Sequence, residues 1–266
     1  MRITGKTRIM FILGDPVAHI VGTDVLNRAF AERGLDMAVS PLQIAPADLD
    51  HTFAMLRRIK NVAGFGITIP HKIAAVGLVD ELTHAARDIG AVNFVRRNAD
   101  GSLTGHNVDG AGFMAGLKQH GFSGREAKVL MVGAGGVGRA IGFAVARAGA
   151  SRLAIANRTP RAAIELGAAI AAAVPGLVPQ TYAADALPPL GAFDLVINAT
   201  ALGMEPGDPM PFAPSGLSAE ATVAEVVMSP AMTKVLLAAQ AKGCRIVPGG
   251  AMMAGQPALV ADFLGL

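Results

Sequence analysis

The stretch VLMVGAGGVGRAIGFAVARAGA, residues 129–150, constrains the fold of this chain more than any other. An apolar run reads as a buried strand, Gly133, Gly135 and Gly138 follow as G-x-G-x-x-G, and an amphipathic helix continues to Ala148. The order matters, because this glycine pattern is informative only between a strand and a helix. There the first glycine permits a tight turn, the second lets a pyrophosphate reach the backbone, and the third lets the helix pack closely on the strand. Exposed N–H groups and the positive end of the helix dipole then make an anion site.

The choice of ligand should be written at the end of the next strand, about 20 residues on, where NAD-binding chains carry an acidic residue for the ribose hydroxyl. That strand, RLAIAN, ends in Asn157, Arg158 and Thr159, with Arg161 following. A carboxylate would repel a 2′-phosphate, whereas a guanidinium and a hydroxyl suit one. These residues favour NADP over NAD.

Strand-like runs alternate with helix-length amphipathic stretches throughout, the pattern of α/β architecture with largely parallel sheets. Strands are expected at Arg8–Leu13, Met37–Ile44, Gly64–Ile69, Val92–Arg96 and Leu103–Gly105, and helices near Thr23–Arg33, Ala47–Arg58 and Gly110–His120. RNADG, between the last two strands, is a hairpin signal. A second series begins at Val129 and runs through DLVINAT, TVAEVV, TKVLLAAQAKG and CRIV, leaving a final segment too short to be a domain. At 266 residues, with 52% hydrophobic and 16% charged residues, the chain suits one large or two ordinary globular domains.

The net charge of +3 is scattered, which argues against a nucleic-acid partner. Cys244 is the only cysteine, so neither a disulfide framework nor a thiolate metal cluster is expected. The histidines, His19 and His71 among them, show no ligand spacing, and no metal is expected. No segment approaches the roughly 20 apolar residues of a membrane helix, and the N-terminus lacks a signal-peptide pattern. The expectation is a soluble, cytoplasmic protein without a membrane partner.

In the first half, GITIPHK, DIGAVNFV and GHNVDGAGF each deliver polar groups at strand ends amid apolar neighbours. Lys72, Asn93 and Asp109 are the groups that can converge in one crevice, and an amine beside a carboxylate can share a proton with a substrate hydroxyl.

Taken in order, these motifs resemble the shikimate and quinate dehydrogenase family over nearly the whole chain. GFGITIPHK is similar to the family's G-x-N-V-T-x-P-x-K, IGAVNFV to I-G-A-V-N-T, GHNVDG to G-x-N-T-D-G, and INATALGM to I-N-A-T-x-x-G-M. The glycine loop and the N-R-T motif also match, and GGAMMAGQPALVADFLG resembles the closing G-x-x-M-L-x-x-Q helix. The resemblance implies a substrate domain of residues 1–109 plus 249–266 and a Rossmann-type doubly wound NADP domain of residues 110–248, the C-terminal helix returning to the first. It implies that Lys72 and Asp109 are catalytic and that Thr68, Asn93 and Gln256 bind substrate. The whole loop Gly133, Ala134, Gly135, Gly136, Val137 and Gly138 would hold phosphate. Asn198, Thr200, Leu202, Gly203 and Met204 would line the nicotinamide side, and Val226, Met228, Gly249 and Met252 would also bind the cofactor. The activity implied is reversible hydride transfer between NADP and an alicyclic polyol, by a monomer or homodimer.

One motif departs. The family's H-S-x-S-P, whose serine hydroxyls hold the substrate carboxylate, reads HIVGT here, with Ile20 and Gly22 at the serine positions and Thr23 at the proline. Asp24 follows, a charge that would repel an anion. A nicotinamide-proximal tyrosine is also replaced, by Met228. Three readings stay open: a shikimate dehydrogenase whose carboxylate is held by Thr23 or backbone N–H groups, a dehydrogenase of quinate, an aminated relative or a ring lacking the carboxylate, and a non-catalytic NADP-binding sensor. A serine at position 22 would fit only where Gly22 does not need a positive φ.

Overall fold

The computed structural model describes residues 2–253 and 255–266, so Ala254 of the closing motif lies outside the described residues. Packing divides the chain into two compact units, residues up to Val108 with Gln256–Leu266, and Asp109–Gly255.

The first unit is built on strands β1 (Arg8–Gly14), β2 (Met37–Gln43), β3 (Val62–Ile67), β4 (Glu81–Leu82), β5 (Phe94–Arg97) and β6 (Leu103–His106), with helices α1 (Gly22–Glu32), α2 (Leu49–Leu56) and α3 (His84–Ile89). Its sheet runs β2-β1-β3-β5-β6-β4. Every residue of β3 is buried, which is why VAGFGI reads as an apolar run without alternation. Phe65 on β3 meets Phe53 of α2 edge to face, ring centres 4.9 Å apart. This sheet is mixed, not largely parallel as the sequence suggested. β1 runs parallel to β2 and β3, but β5 is antiparallel to both β3 and β6. The Asp100-Gly101 turn accounts for the antiparallel pairing of β5 with β6, since a tight turn can join only antiparallel neighbours. Asp100 Oδ1 accepts the Ser102 N–H (2.9 Å), and Gly101 takes φ +91°.

The second unit contains helix α4 (Asp109–Gln119), strands β7 (Lys128–Val132), β8 (Arg152–Asn157), β9 (Gln180–Ala183), β10 (Leu195–Asn198), β11 (Thr222–Glu225) and β12 (Arg245–Val247), and helices α5 (Gly136–Arg147), α6 (Pro160–Ala173) and α7 (Lys234–Ala241). Its sheet is ordered β12-β11-β10-β7-β8-β9, and all its pairings are parallel. Counted from β7 this is the doubly wound order, and the chain reverses direction across the sheet at β7. The carboxyl end of β7, where the glycine loop begins, is therefore the switch point at which such sheets open a ligand crevice. The 3-10 turn Gly249–Met253 packs on α4. The division by packing thus falls at Val108/Asp109 and Gly255/Gln256, whereas the sequence suggested 109/110 and 248/249.

Helix α8 (Gln256–Leu264) belongs to the first unit and packs on α1, with Val260, Ala261 and Leu264 in the same buried cluster as Leu26 and Phe30. Arg96 donates from Nη1 to the Phe263 carbonyl (3.1 Å) and lies over its ring. The His106 ring stacks against the same Phe263 at 4.8 Å, and its Nδ1 lies 2.8 Å from Thr83 Oγ1. Burial lowers the pKa of His106. The unfolded chain therefore takes up this proton more readily than the folded one, so the contribution is complete above the ordinary histidine value of about 6.5 and is lost as pH falls below it. The denaturation midpoint should accordingly fall on acidification from neutral pH, and His106→Gln should flatten that fall. Among the described residues, no helix is long and apolar enough to cross a membrane.

Candidate functional site

In the second unit, the loop after β7 has the shape its glycines predict. Gly133 adopts φ +118°, and a methyl group there would lie 2.5 Å from the Ala199 carbonyl. A methyl group on Gly138 would collide with the carbonyl of Gly133. Gly135, the N-cap of α5, is exposed, and a methyl group there would meet nothing within 4 Å. The close contacts are thus made by the outer glycines, and the middle one leaves a cradle of the kind a phosphate fills. Ala134, Gly136 and Val137 complete the loop, and Ala134 N donates to Asn157 Oδ1 (3.0 Å), which ties it to the end of β8. Asn157 in turn donates from Nδ2 to the Thr159 carbonyl (3.0 Å).

Arg158 and Thr159 are exposed, and Thr159 stands at the N-cap of α6 without spending its hydroxyl on that helix. Arg161 is paired with Glu165 one turn along (2.7 Å), an exposed i,i+4 pair of the kind worth about 0.3–0.5 kcal/mol and readily exchanged for a phosphate. Arg139, in the first turn of α5, is half-buried. Its burial lowers its pKa, while the field of Glu165 acts in the opposite sense. Arg139 lies within the glycine motif, at a position to which the pattern itself gives no role.

At the ends of β10 and β11 a second set of polar groups is buried. Asn198 Oδ1 accepts from Thr200 N (3.1 Å) and Thr200 Oγ1 (2.6 Å), and its Nδ2 donates to the Leu202 carbonyl (2.9 Å). Gly203 N donates to Asp208 Oδ2 (2.9 Å), which fixes the turn leading to Met204. Glu225, beside Val226, is buried and accepts from Asn198 Nδ2 (2.8 Å), and burial raises its pKa. Met228 is half-buried, and Gly249 and Met252 are buried. Glu225 escaped the sequence reading because its strand looked like core; an acid ending an otherwise apolar strand was the available signal.

In the first unit, Lys72 lies in the turn after β3. Its carbonyl accepts from Val92 N (2.8 Å), which brings it beside Asn93. Asn93 is buried, its carbonyl accepts from Ile67 N (2.7 Å), and its Oδ1 accepts from Val108 N (3.0 Å). Thr68 follows β3 directly and its N–H donates to the Leu13 carbonyl (2.8 Å). Gln256 is buried at the start of α8, the helix that packs on α1, and α1 carries Thr23. Thr68, Lys72 and Asn93 are thus tied together at the end of β3. Asp109 is buried and opens α4 in the second unit.

The departing motif is now physical. Ile20 packs against the cluster of Met10, Leu26 and Phe30, so an apolar side chain fills a serine's place. Gly22 is the first residue of α1 and takes helical geometry, so no positive φ is required. Asp24 is exposed and paired with Arg28 (2.6 Å), one turn along α1. Thr23 Oγ1 is buried without a hydrogen-bond partner. Among the described residues, no group of histidine, cysteine and carboxylate side chains is placed to hold a metal ion.

This combination defines a class: a two-unit α/β protein whose second unit is a Rossmann-type dinucleotide-binding fold. Residues 12–95 match the family described as the shikimate dehydrogenase substrate binding domain. The chain is 38% identical to a shikimate dehydrogenase (NADP(+)) from Rubrobacter xylanophilus, over 95% of this chain and 88% of that one. It superposes on a shikimate dehydrogenase in complex with NADP+ with a TM-score of 0.90 at 28% identity, covering 100% of this chain and 92% of the other. It also superposes on ligand-free 5-ketofructose reductase of Gluconobacter sp. strain CHM43, with a TM-score of 0.83 at 30% identity over 98% and 94% of the two chains. The chain belongs to the shikimate dehydrogenase family.

Proposed function

We propose that this protein is an NADP-dependent dehydrogenase that interconverts shikimate, or a closely related alicyclic polyol, and its 3-dehydro ketone. The observation that carries the reading is a phosphate loop with an open cradle at Gly135, followed by Asn157-Arg158-Thr159, in a chain that also sets Lys72 and Asn93 at the end of a buried strand. The first unit would hold the polyol through Thr23, Thr68, Asn93 and Gln256. The second would hold NADP through residues 133–138, Asn157, Arg158, Thr159, Arg161, Val226, Met228, Gly249 and Met252, with Asn198 to Met204 on the nicotinamide side. When bound, the dinucleotide supplies hydride chemistry at C4 of its nicotinamide. As the alcohol carbon gives up its hydride, the hydroxyl proton must leave, and we assign its transfer to Lys72 and Asp109 as the catalytic groups. The protein would act in the cytoplasm, as a monomer or homodimer.

A second reading has an observation behind it. Ile20 and Gly22 remove both hydroxyls that would grip a carboxylate, and one of the similar structures is a reductase of a keto sugar, whose name carries no acid group. The substrate would then be a polyol or its ketone without a carboxylate. NADPH absorbance, followed with shikimate, quinate, an aminated relative, a non-carboxylated ring polyol and 5-ketofructose, separates these readings. Turnover of none of them, with NADPH bound, would favour a sensor.

NADP should be preferred over NAD by about tenfold or more, since one charge-assisted phosphate contact contributes roughly 1.5–3 kcal/mol. Kinetics with both dinucleotides test this, and equal efficiency with NAD would remove the role given to Arg158.

A further inference from the structure

A carboxylate taken out of water must be met by donors. Glu225 is 1% exposed, and its partners are all neutral donors. Oε1 accepts from Asn198 Nδ2 (2.8 Å), Val226 N (3.0 Å) and Val227 N (3.1 Å), and Oε2 accepts from Thr233 Oγ1 (3.0 Å). The other Asn198 Nδ2 hydrogen goes to the Leu202 carbonyl, while Asn198 Oδ1 takes both the N–H and the hydroxyl of Thr200. Thr200 Oγ1 then accepts from Leu202 N (3.0 Å). A continuous chain of hydrogen bonds therefore runs from a buried carboxylate on β11 through Asn198 on β10 into the 200–202 segment. The amide of Asn198 has two orientations related by a flip, and only one turns its NH2 toward both Glu225 and Leu202. An ionised or strongly accepting group at Glu225 selects that orientation.

We propose that Glu225 is the positioning residue for the nicotinamide half of the dinucleotide, acting through Asn198 to fix the 200–204 segment against which that ring is read. This deepens the NADP reading and rests on it. Thr233 also caps α7 through Leu236 N (3.4 Å), so the same carboxylate sets the start of that helix. The glycine loop and the strand end at Asn157, which would hold the adenosine half, are tied to each other through Ala134 N and Asn157 Oδ1, although Gly133 itself packs closely on Ala199.

The test separates the two halves of the ligand. Calorimetric titrations would compare NADPH with adenosine 2′,5′-bisphosphate, which has the 2′-phosphate but no nicotinamide, in the parent and in Glu225→Gln. Glu225→Gln replaces one of two accepting oxygens with an NH2 group that cannot accept from Asn198 or Thr233, so it should weaken NADPH by about fivefold or more and leave the bisphosphate unchanged. On whichever polyol is turned over, kcat should fall by about tenfold from misplacement of the reacting ring. The shorter acid in Glu225→Asp, which keeps the charge but cannot reach Asn198, should show the same selective loss and guards against a misfolded first variant. Equal weakening of both ligands, or no change in either, overturns the proposal, as does failure of both variants to fold. A parent protein that binds neither ligand would instead overturn the NADP reading itself, and the proposal with it.

Discussion

Lys72→Ala should lower kcat by about 10² or more on whichever polyol proves active, because positioned acid–base groups contribute about 10²–10⁴-fold. The fold should survive. Lys72 is only partly buried, and its backbone is held independently of its side chain, by Val92 N on its carbonyl and by the turn in which His71 N donates to the Thr68 carbonyl (2.9 Å). The neighbouring His71 is the structural member of the pair, buried with Nε2 2.8 Å from the Ile44 carbonyl. NADPH affinity, measured by nucleotide fluorescence, should be unchanged, since the glycine loop belongs to the other unit. A variant that kept parental turnover would end the catalytic assignment of Lys72. One that lost NADPH binding as well would point to a folding defect.

The second large effect is expected from restoring a carboxylate anchor. Hydrogen bonds to a charged group contribute roughly 1.5–3 kcal/mol each, so Ile20→Ser with Gly22→Ser should lower the KM for shikimate by at least about tenfold. The kcat should stay level, because a contact made equally in ground and transition states moves KM alone. The structure favours tolerance of both changes. Gly22 already has helical geometry, and serine is the better helix former by a few tenths of a kcal/mol. Ile20 is only partly buried, so its loss should cost about 1–2 kcal/mol at most. KM values for a non-carboxylated polyol should not improve, and that contrast ties the gain to the acid group. If circular dichroism shows a folded double variant with an unchanged KM, the carboxylate is held elsewhere. Thr23, with its unpartnered buried hydroxyl, is then the first residue to substitute.

The doubly wound half was the most legible in sequence, and the reason is physical. Strands buried on both faces must be apolar throughout, and the helices between them must be amphipathic, so β7, β8, β10 and β11 stood out as runs. What escaped was short or exposed. β4 has 2 residues, α3 has 6, and β9 (QTYA) is an edge strand with no buried residue, so none carries enough periodicity to be seen. The antiparallel turn of the first sheet was signalled by Asp100-Gly101, but its consequence for the whole sheet depends on which strand β5 joins, and no local pattern states that. Of the candidate site, sequence singles out Lys72, Asn93 and Asp109 as polar groups amid apolar neighbours, and Asn157 by its distance from the glycine loop. Glu225 is buried at a strand end, where sequence offers only an unexpected charge. The unit boundary after Gly255 rested on the packing of Gly249–Met253 against α4, a contact between segments far apart in the chain.

The geometry of the glycine loop also says how such a protein would drift if it stopped binding its dinucleotide. Gly133 and Gly138 are held by the protein's own atoms, the carbonyls of Ala199 and Gly133, so a side chain at either would be purged for reasons of folding alone. Gly135 touches nothing of the kind. Two of the fingerprint's glycines would therefore persist as fossils in a descendant with no ligand at all, and only the middle position would be free to acquire a side chain. For deciding whether a divergent member of this lineage is a living enzyme or a retired scaffold, position 135 is the informative letter and its two neighbours are nearly mute.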